Sequence, residues 1–200
     1  MSMHRKTNVQ KNTESGFALL MAIVVVGVLI SIGLSVLELT IAQVRLSSNA
    51  RDSETSFHAA NAGVECALYT RRQNANAMET GGNITPSCFN GSLDSNTRVQ
   101  LTGGDVSGDG EAYLYNYEFT WGLNNDRCSQ VTTLVASSTP NGADLDVNNM
   151  TTHVPGYVNG NTLTCVAGAR CTVISVRGYN KTCANASTFG TVQREVLLQL

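Results

Sequence analysis

From Phe17 to Leu37 the chain reads FALLMAIVVVGVLISIGLSVL, an apolar run without a charged residue. As a helix this run is about 30 Å long, the thickness of a bilayer's hydrocarbon core. The pattern therefore predicts a membrane-spanning helix over 17–37. Gly27 and Gly33 are compatible with it, because backbone groups in lipid bond within the helix. The run exceeds the roughly 7–15 apolar residues of a secretory signal peptide. Small residues such as Ser47, Ser48 and Ala50 lie well past its end.

The helix is expected to continue, since no proline precedes Pro86. Beyond Leu39 the apolar positions thin to a stripe: Leu39, Ala42, Leu46, Ala50, Phe57, Ala60, Val64 and Ala67 or Leu68. Steps of three and four predict an amphipathic helix with one packed face. Arg45, Arg51, Asp52, Glu54 and Glu65 fall on the other faces, and Ala59, Ala60, Ala62 and Gly63 permit close approach by a sheet.

From Arg72 to Arg98 the sequence turns polar and rich in Gly, Asn and Ser, which reads as a connecting loop containing an Asn90-Gly91 turn. Strand signals follow. Val99–Thr102 is short. Glu111–Trp121 is the strongest strand, with Tyr113, Tyr115, Tyr117, Phe119 and Trp121 on one face by period two. That face is expected to pack on the helix. An Asn124-Asn125-Asp126 turn leads to a strand over Gln130–Ala136. Ser137–Asn161 is polar and breaker-rich, so a long loop or insertion is expected, and it is the first place to seek surface specificity. Thr162–Cys165 and Cys171–Val176 resemble the arms of a hairpin, broken by Arg177-Gly178-Tyr179-Asn180. Val192–Leu200 reads as a final strand with Val192, Val196, Leu198 and Leu200 on one face. Arg194 shares that face by parity and needs a partner or the sheet's edge. The expected fold class is α+β: a long N-terminal helix, partly transmembrane, packed on a small antiparallel sheet domain.

Charge adds orientation. Arg5, Lys6 and Lys11 precede the span, which predicts a cytoplasmic N-terminus and an exported remainder. Only 14% of residues are charged and the formal net charge is −2. No basic stripe follows the span, so nucleic acid is not an expected partner. Arg71-Arg72 reads as a solvated helix end. The chain is long enough for one exported domain after the span.

All six cysteines (Cys66, Cys88, Cys128, Cys165, Cys171, Cys183) follow the span. An even set without a CxxC, in an exported domain, implies disulfides rather than a metal site. Spacing does not fix the connectivity, although Cys165 and Cys171 are close in sequence. A Cys66–Cys88 bridge would pin the polar loop to the helix.

Catalytic chemistry is not evident, and the chain is not expected to be an enzyme or to carry a cofactor. His58 and His153 stand near no plausible nucleophile in sequence. One stretch matches the start of a calcium loop, with Asp105, Ser107, Asp109 and Glu111 around Gly108 and Gly110. Asn116 stands where a bidentate Glu belongs, and a Gly-rich hairpin turn explains the same residues. N-x-S/T sequons begin at Asn83, Asn90, Asn149, Asn180 and Asn185.

The short basic leader, Glu14-Ser15-Gly16-Phe17-Ala18-Leu19-Leu20 and the long apolar helix together resemble a type IV prepilin. The resemblance implies a leader over 1–16, cleavage between Gly16 and Phe17 by a prepilin peptidase, and N-methylation of Phe17. It further implies a long helix over 17–72, transmembrane over 17–37, and an extracytoplasmic β-rich head over 73–200. Ser48–Tyr69 is similar to the same region of PilX-type minor pilins, through Phe57, Ala59, Ala60, Ala62, Gly63 and Glu65. Major pilins usually carry Glu at the fifth mature position. Here it is Met21, which points to a minor or tip pilin, or to a minor pseudopilin of a secretion or DNA-uptake system. The relatives also imply pairing of Cys66 with Cys88 and of Cys128 with Cys183. The implied partners are other pilin subunits through the N-terminal helix. The implied location is the inner membrane for the precursor, then a cell-surface pilus. A reading of another class is an unassembled, single-pass membrane-anchored binding domain.

Overall fold

The computed structural model describes residues 15–88 and 92–200. Most of the expected leader and the Asn90-Gly91 turn lie outside the described residues. One helix, α1 (Ser15–Gln73), runs for 59 residues. The chain falls into two units, Met1–Asn49 and Ala50–Leu200. In the first, the described residues are helix throughout, and from Gly16 onward their side chains are exposed. The second contains the rest of α1 and every other element.

The second unit is built on a five-stranded antiparallel sheet. Its strands are β1 (Ser92–Leu101), β3 (Gly110–Trp121), β4 (Arg127–Ser138), β7 (Arg170–Tyr179) and β8 (Gln193–Gln199), in the order β1-β3-β4-β7-β8. A three-stranded sheet is ordered β2-β5-β6, from β2 (Val106–Ser107), β5 (Leu145–Val147) and β6 (Leu163–Cys165). Two short helices, α2 (Ala75–Glu79) and α3 (Met150–His153), complete the described elements.

Each face of the large sheet carries a core. On one face Tyr113, Tyr115, Tyr117 and Phe119 of β3, Val131 and Val135 of β4, and Ile174 and Val176 of β7 pack with Cys66 and Ala67 of α1 and Met78 of α2. The aromatic face expected from the alternation is thus buried against helix. Burying each large apolar side chain contributes roughly 1.5–3 kcal/mol before entropy is counted. The Tyr115 hydroxyl ends this layer by donating to the Gly82 carbonyl at 3.1 Å.

The face of α1 that meets the sheet is made of small residues: Ser56, Ala59, Ala60, Gly63, Cys66, Ala67 and Thr70 are buried. Phe57, expected on the packed stripe, is 49% exposed. The contact is too close for it. A Cβ on Gly63 would stand 2.4 Å from Val176 Cγ1. The Ser56 hydroxyl donates to the Val192 carbonyl at 2.7 Å, and the Ser129 hydroxyl donates to the Ala59 carbonyl at 2.7 Å. Backbone and small polar groups, not large apolar side chains, join helix to sheet here.

On the opposite face Leu114, Leu134, Ala136 and Val173 pack with Leu145, Val147, Met150, Val154, Tyr157 and Leu163. The segment expected as a polar loop over 137–161 therefore supplies half of a core. Its apolar residues are spaced irregularly through β5, α3 and the following turn, so no single period reveals them.

Three other expectations are corrected. Leu163–Cys165 and β7 do not form a hairpin, since β6 pairs with β5 while β7 lies between β4 and β8. Strand β7 does not break at Arg177 but runs through Gly178 to Tyr179. The connecting loop is shorter than its composition suggests, because β1 pairs with β3 from Ser92 onward with a register shift at Leu93/Ser95. Residues 93–100 of β1 are exposed, and an edge strand tolerates such polar sequence. Arg194 lies on the other edge strand, β8, and its Nε donates to the Ser53 hydroxyl at 2.9 Å.

All six cysteines are paired, as Cys66–Cys88, Cys128–Cys183 and Cys165–Cys171. The first ties α1 to the loop after α2. The second ties the start of β4 to the turn after β7. Their separations of 22 and 55 residues correspond to roughly 3–4 kcal/mol of lost unfolded-state entropy each.

Candidate functional site

The first unit is the most unusual surface of the chain. Phe17 is 67% exposed and Met21 51% exposed. From Gly16 through Ala50 each residue of α1 is exposed. The helix is long and apolar enough to cross a membrane, and none of its most apolar window is buried. An exposed apolar surface this large is uncommon on a protein that stands alone in water. Two hydroxyls within it are satisfied locally: Ser35 donates to the Ser31 carbonyl at 2.9 Å and Thr40 to the Val36 carbonyl at 2.8 Å. Such back-bonding leaves these donors paired in a medium without water. The first ionisable side chain after Phe17 is Glu38.

Gly16 precedes this surface on the same helix, and a Cβ there would meet nothing within 4 Å. Glycine at this position is therefore not required by packing within the described chain. Met21 sits one turn beyond Phe17 and brings no charge to this end of the helix.

The calcium-loop residues are held apart. Asp105 accepts from Asn149 Nδ2 at 2.7 Å, and its carboxylate lies 3.3 Å from His153 Nε2. The hydrogen bond from Asn149, then the neighbouring His153 side chain, lowers the Asp105 pKa below the ordinary carboxylate value. Asp109 accepts from the Ala143 amide at 2.8 Å, while Glu111 accepts from the Tyr113 hydroxyl at 2.9 Å. Ser107 is exposed in β2, which pairs with β5. Each carboxylate thus has its own separate partner. Among the described residues no group of three or more His, Cys, Asp or Glu is placed to hold a metal ion. His58, in turn, faces Glu54 on the solvated side of α1 at 3.7 Å.

Arg71 is not a solvated helix end. Its Nη2 lies 2.7 Å from Glu79 Oε1, and its Nε donates to the Thr172 hydroxyl at 3.2 Å. Arg170 Nε reaches the other Glu79 oxygen at 2.8 Å. The Glu79 and Arg71 side chains are only 9% and 13% exposed. This cluster joins α1, α2 and β7. No periodic pattern along the chain announces it, because its members come from three separate elements, one of them far from the other two in sequence.

Four buried hydroxyls, of Thr70, Tyr117, Thr133 and Ser137, make no hydrogen bond of normal geometry. Burial pushes the Tyr117 pKa up to about 12, against the smaller opposing effect of the Thr70 and Thr133 hydroxyls nearby. No family model, curated protein or solved structure matches the chain.

Proposed function

We propose that the chain is a pilin-like subunit that acts by assembly rather than catalysis. One observation carries this reading: an uncharged helical surface, exposed along its whole length from Phe17, directly follows Gly16 and continues as the spine of a disulfide-bonded sheet unit. Lipid would cover that surface in the precursor. After a cut at Gly16, identical or related helices would cover it in a filament. The partners on this reading are a prepilin peptidase and other pilin subunits, with the inner membrane holding the precursor.

Met21 favours a minor or tip subunit over a bulk subunit. A buried N-terminal amine without an opposite charge is costly, and Met21 offers a neighbour no such charge. A minor pseudopilin of a secretion or DNA-uptake system has the same requirements. The alternative, a single-pass anchored binding domain, rests on the same helix remaining in lipid.

Mass spectrometry of the protein from its native membrane tests the proposal. A mature chain beginning at N-methylated Phe17 is expected. A chain still beginning at Met1 would leave the anchored-domain reading instead. Immunogold labelling then separates positions, and uniform labelling along a filament shaft contradicts the minor-subunit version.

A further inference from the structure

Near one end of the large sheet three different polar groups stand in a row. Glu111 of β3 stands opposite Ser137 of β4, and Ser137 stands opposite Arg170 of β7. Directly paired strand residues have Cβ atoms about 4.5–5.5 Å apart, so the row offers a carboxylate, a hydroxyl and a guanidinium at short, regular intervals. A groove of about 550 Å³ opens beside it, lined by Glu79, Thr80, Ser137, Ser138, Pro140 and Arg170 among others. A second hollow of about 390 Å³ shares Ser137, Ser138 and Pro140 and reaches Glu111.

The groups in this row are oriented but not used up. Arg170 is 67% exposed, and its Nε is held by the buried Glu79 at 2.8 Å. Its terminal nitrogens have no other partner among the described residues. Glu111 is exposed and accepts one bond, from Tyr113, so acceptor capacity remains. The Ser137 hydroxyl is buried at the back of the groove without a hydrogen-bond partner. No internal bond therefore opposes its turning toward a ligand.

Charge and lining select the ligand class. Glu79 and Glu111 balance Arg71 and Arg170, so the site is neutral overall. Glu111 repels an anionic ligand and Arg170 a cationic one. No aromatic or large aliphatic side chain lines either hollow, which disfavours an apolar peptide side chain. A sugar hydroxyl both donates and accepts, and neighbouring hydroxyls on a ring match an acceptor, a hydroxyl and a donor set side by side. The Pro140 ring supplies a small apolar surface for a sugar's C–H face.

We propose that this groove binds a neutral saccharide, with Glu111 and Arg170 as its hydrogen-bonding poles. The site stands whether or not the chain assembles into a filament, so failure of either reading leaves the other intact.

The test uses the full chain in a zwitterionic detergent that lacks sugar head groups. Saturation-transfer NMR is run with methyl glycosides of glucose, galactose and N-acetylglucosamine, with glucuronate, and with an acidic peptide. Transfer to at least one neutral glycoside at millimolar concentration is expected. Glu111→Gln and Arg170→Ala should each weaken it about tenfold, while Arg177→Ala, outside the groove, leaves it unchanged. Glu111→Gln changes an exposed side chain, so it remains informative if Arg170→Ala lowers stability. Absence of transfer to every neutral glycoside overturns the proposal. So does tighter binding of glucuronate or the peptide, or binding that both groove variants leave intact.

Discussion

Gly178 of β7 lies against the backbone of Ala60 in α1: a Cβ at Gly178 would stand 2.1 Å from the Ala60 amide nitrogen and 2.3 Å from the Ser56 carbonyl oxygen. Neither atom belongs to a side chain that can turn away. The closeness of helix to sheet is set at this point, and Gly63 opposite Val176 repeats it one turn further along α1.

Gly178→Ala should therefore destabilise the protein by about 3 kcal/mol or more, the upper range for overpacking, because backbone must move. Gly104→Ala is the control: its added Cβ meets nothing within 4 Å, and a change within about 0.5 kcal/mol is expected. Denaturant unfolding of both variants reads the difference. Equal midpoints would mean that helix and sheet can separate at little cost.

Replacing Cys128 and Cys183 together by serine should cost about 2–5 kcal/mol, since a constraint across 55 residues is released. The same change at Cys165 and Cys171, only 6 apart, should cost less. Melting temperatures of the two double variants, each compared with the parent protein, give the order.

Glu79→Ala should lower stability by about 2–4 kcal/mol, because it leaves the largely buried Arg71 guanidinium without its carboxylate. Arg71→Met in the same background should recover part of the loss. A double-mutant cycle by urea unfolding measures it, and strict additivity would show that the pair is not coupled.

Tyr117 makes stability fall in alkali. Its folded pKa of about 12 lies above the ordinary value of 10.0, so the folded state holds the phenolic proton more tightly. That contribution is fully present below pH 10 and is lost as pH rises through about 12. Holding the proton that much more tightly corresponds to roughly 3 kcal/mol. Tyr117→Phe should reduce the slope of stability against pH in this window, followed by unfolding at a series of pH values. An unchanged slope would assign the effect to other tyrosines.

Gly16→Ala should leave the fold unaltered, since nothing stands near its added methyl. On the pilin reading it should also block removal of the leader. Circular dichroism with mass spectrometry separates the two effects, and a variant processed at the parent's rate would argue against cleavage after residue 16.

Much of the architecture is legible in the sequence. The apolar run from Phe17, its continuation as helix, the strand from Glu111 and the aromatic face from Tyr113 to Trp121 each follow one period over many residues. The edge strand β1 is largely hidden, because a strand exposed on both faces need not alternate. Met150, Val154 and Tyr157 are hidden because they meet a core through short elements and turns. Of the candidate site, the exposed apolar helix is legible as composition. The groove beside Ser137 is not, since Glu111, Ser137 and Arg170 lie on three strands.

That a long apolar helix leads into a cysteine-bearing, β-rich unit follows from the order of residues alone. Burial of apolar surface and backbone hydrogen bonding dictate it locally, residue by residue. Which small face of α1 meets the sheet emerges only once the chain is packed, as does the role of Gly178 as a point of contact rather than a strand break. The inward turn of Arg71 to Glu79 belongs to the same group. Those outcomes depend on how closely two backbones approach and on which charges are brought together from distant parts of the chain. Neither quantity has a period along a sequence.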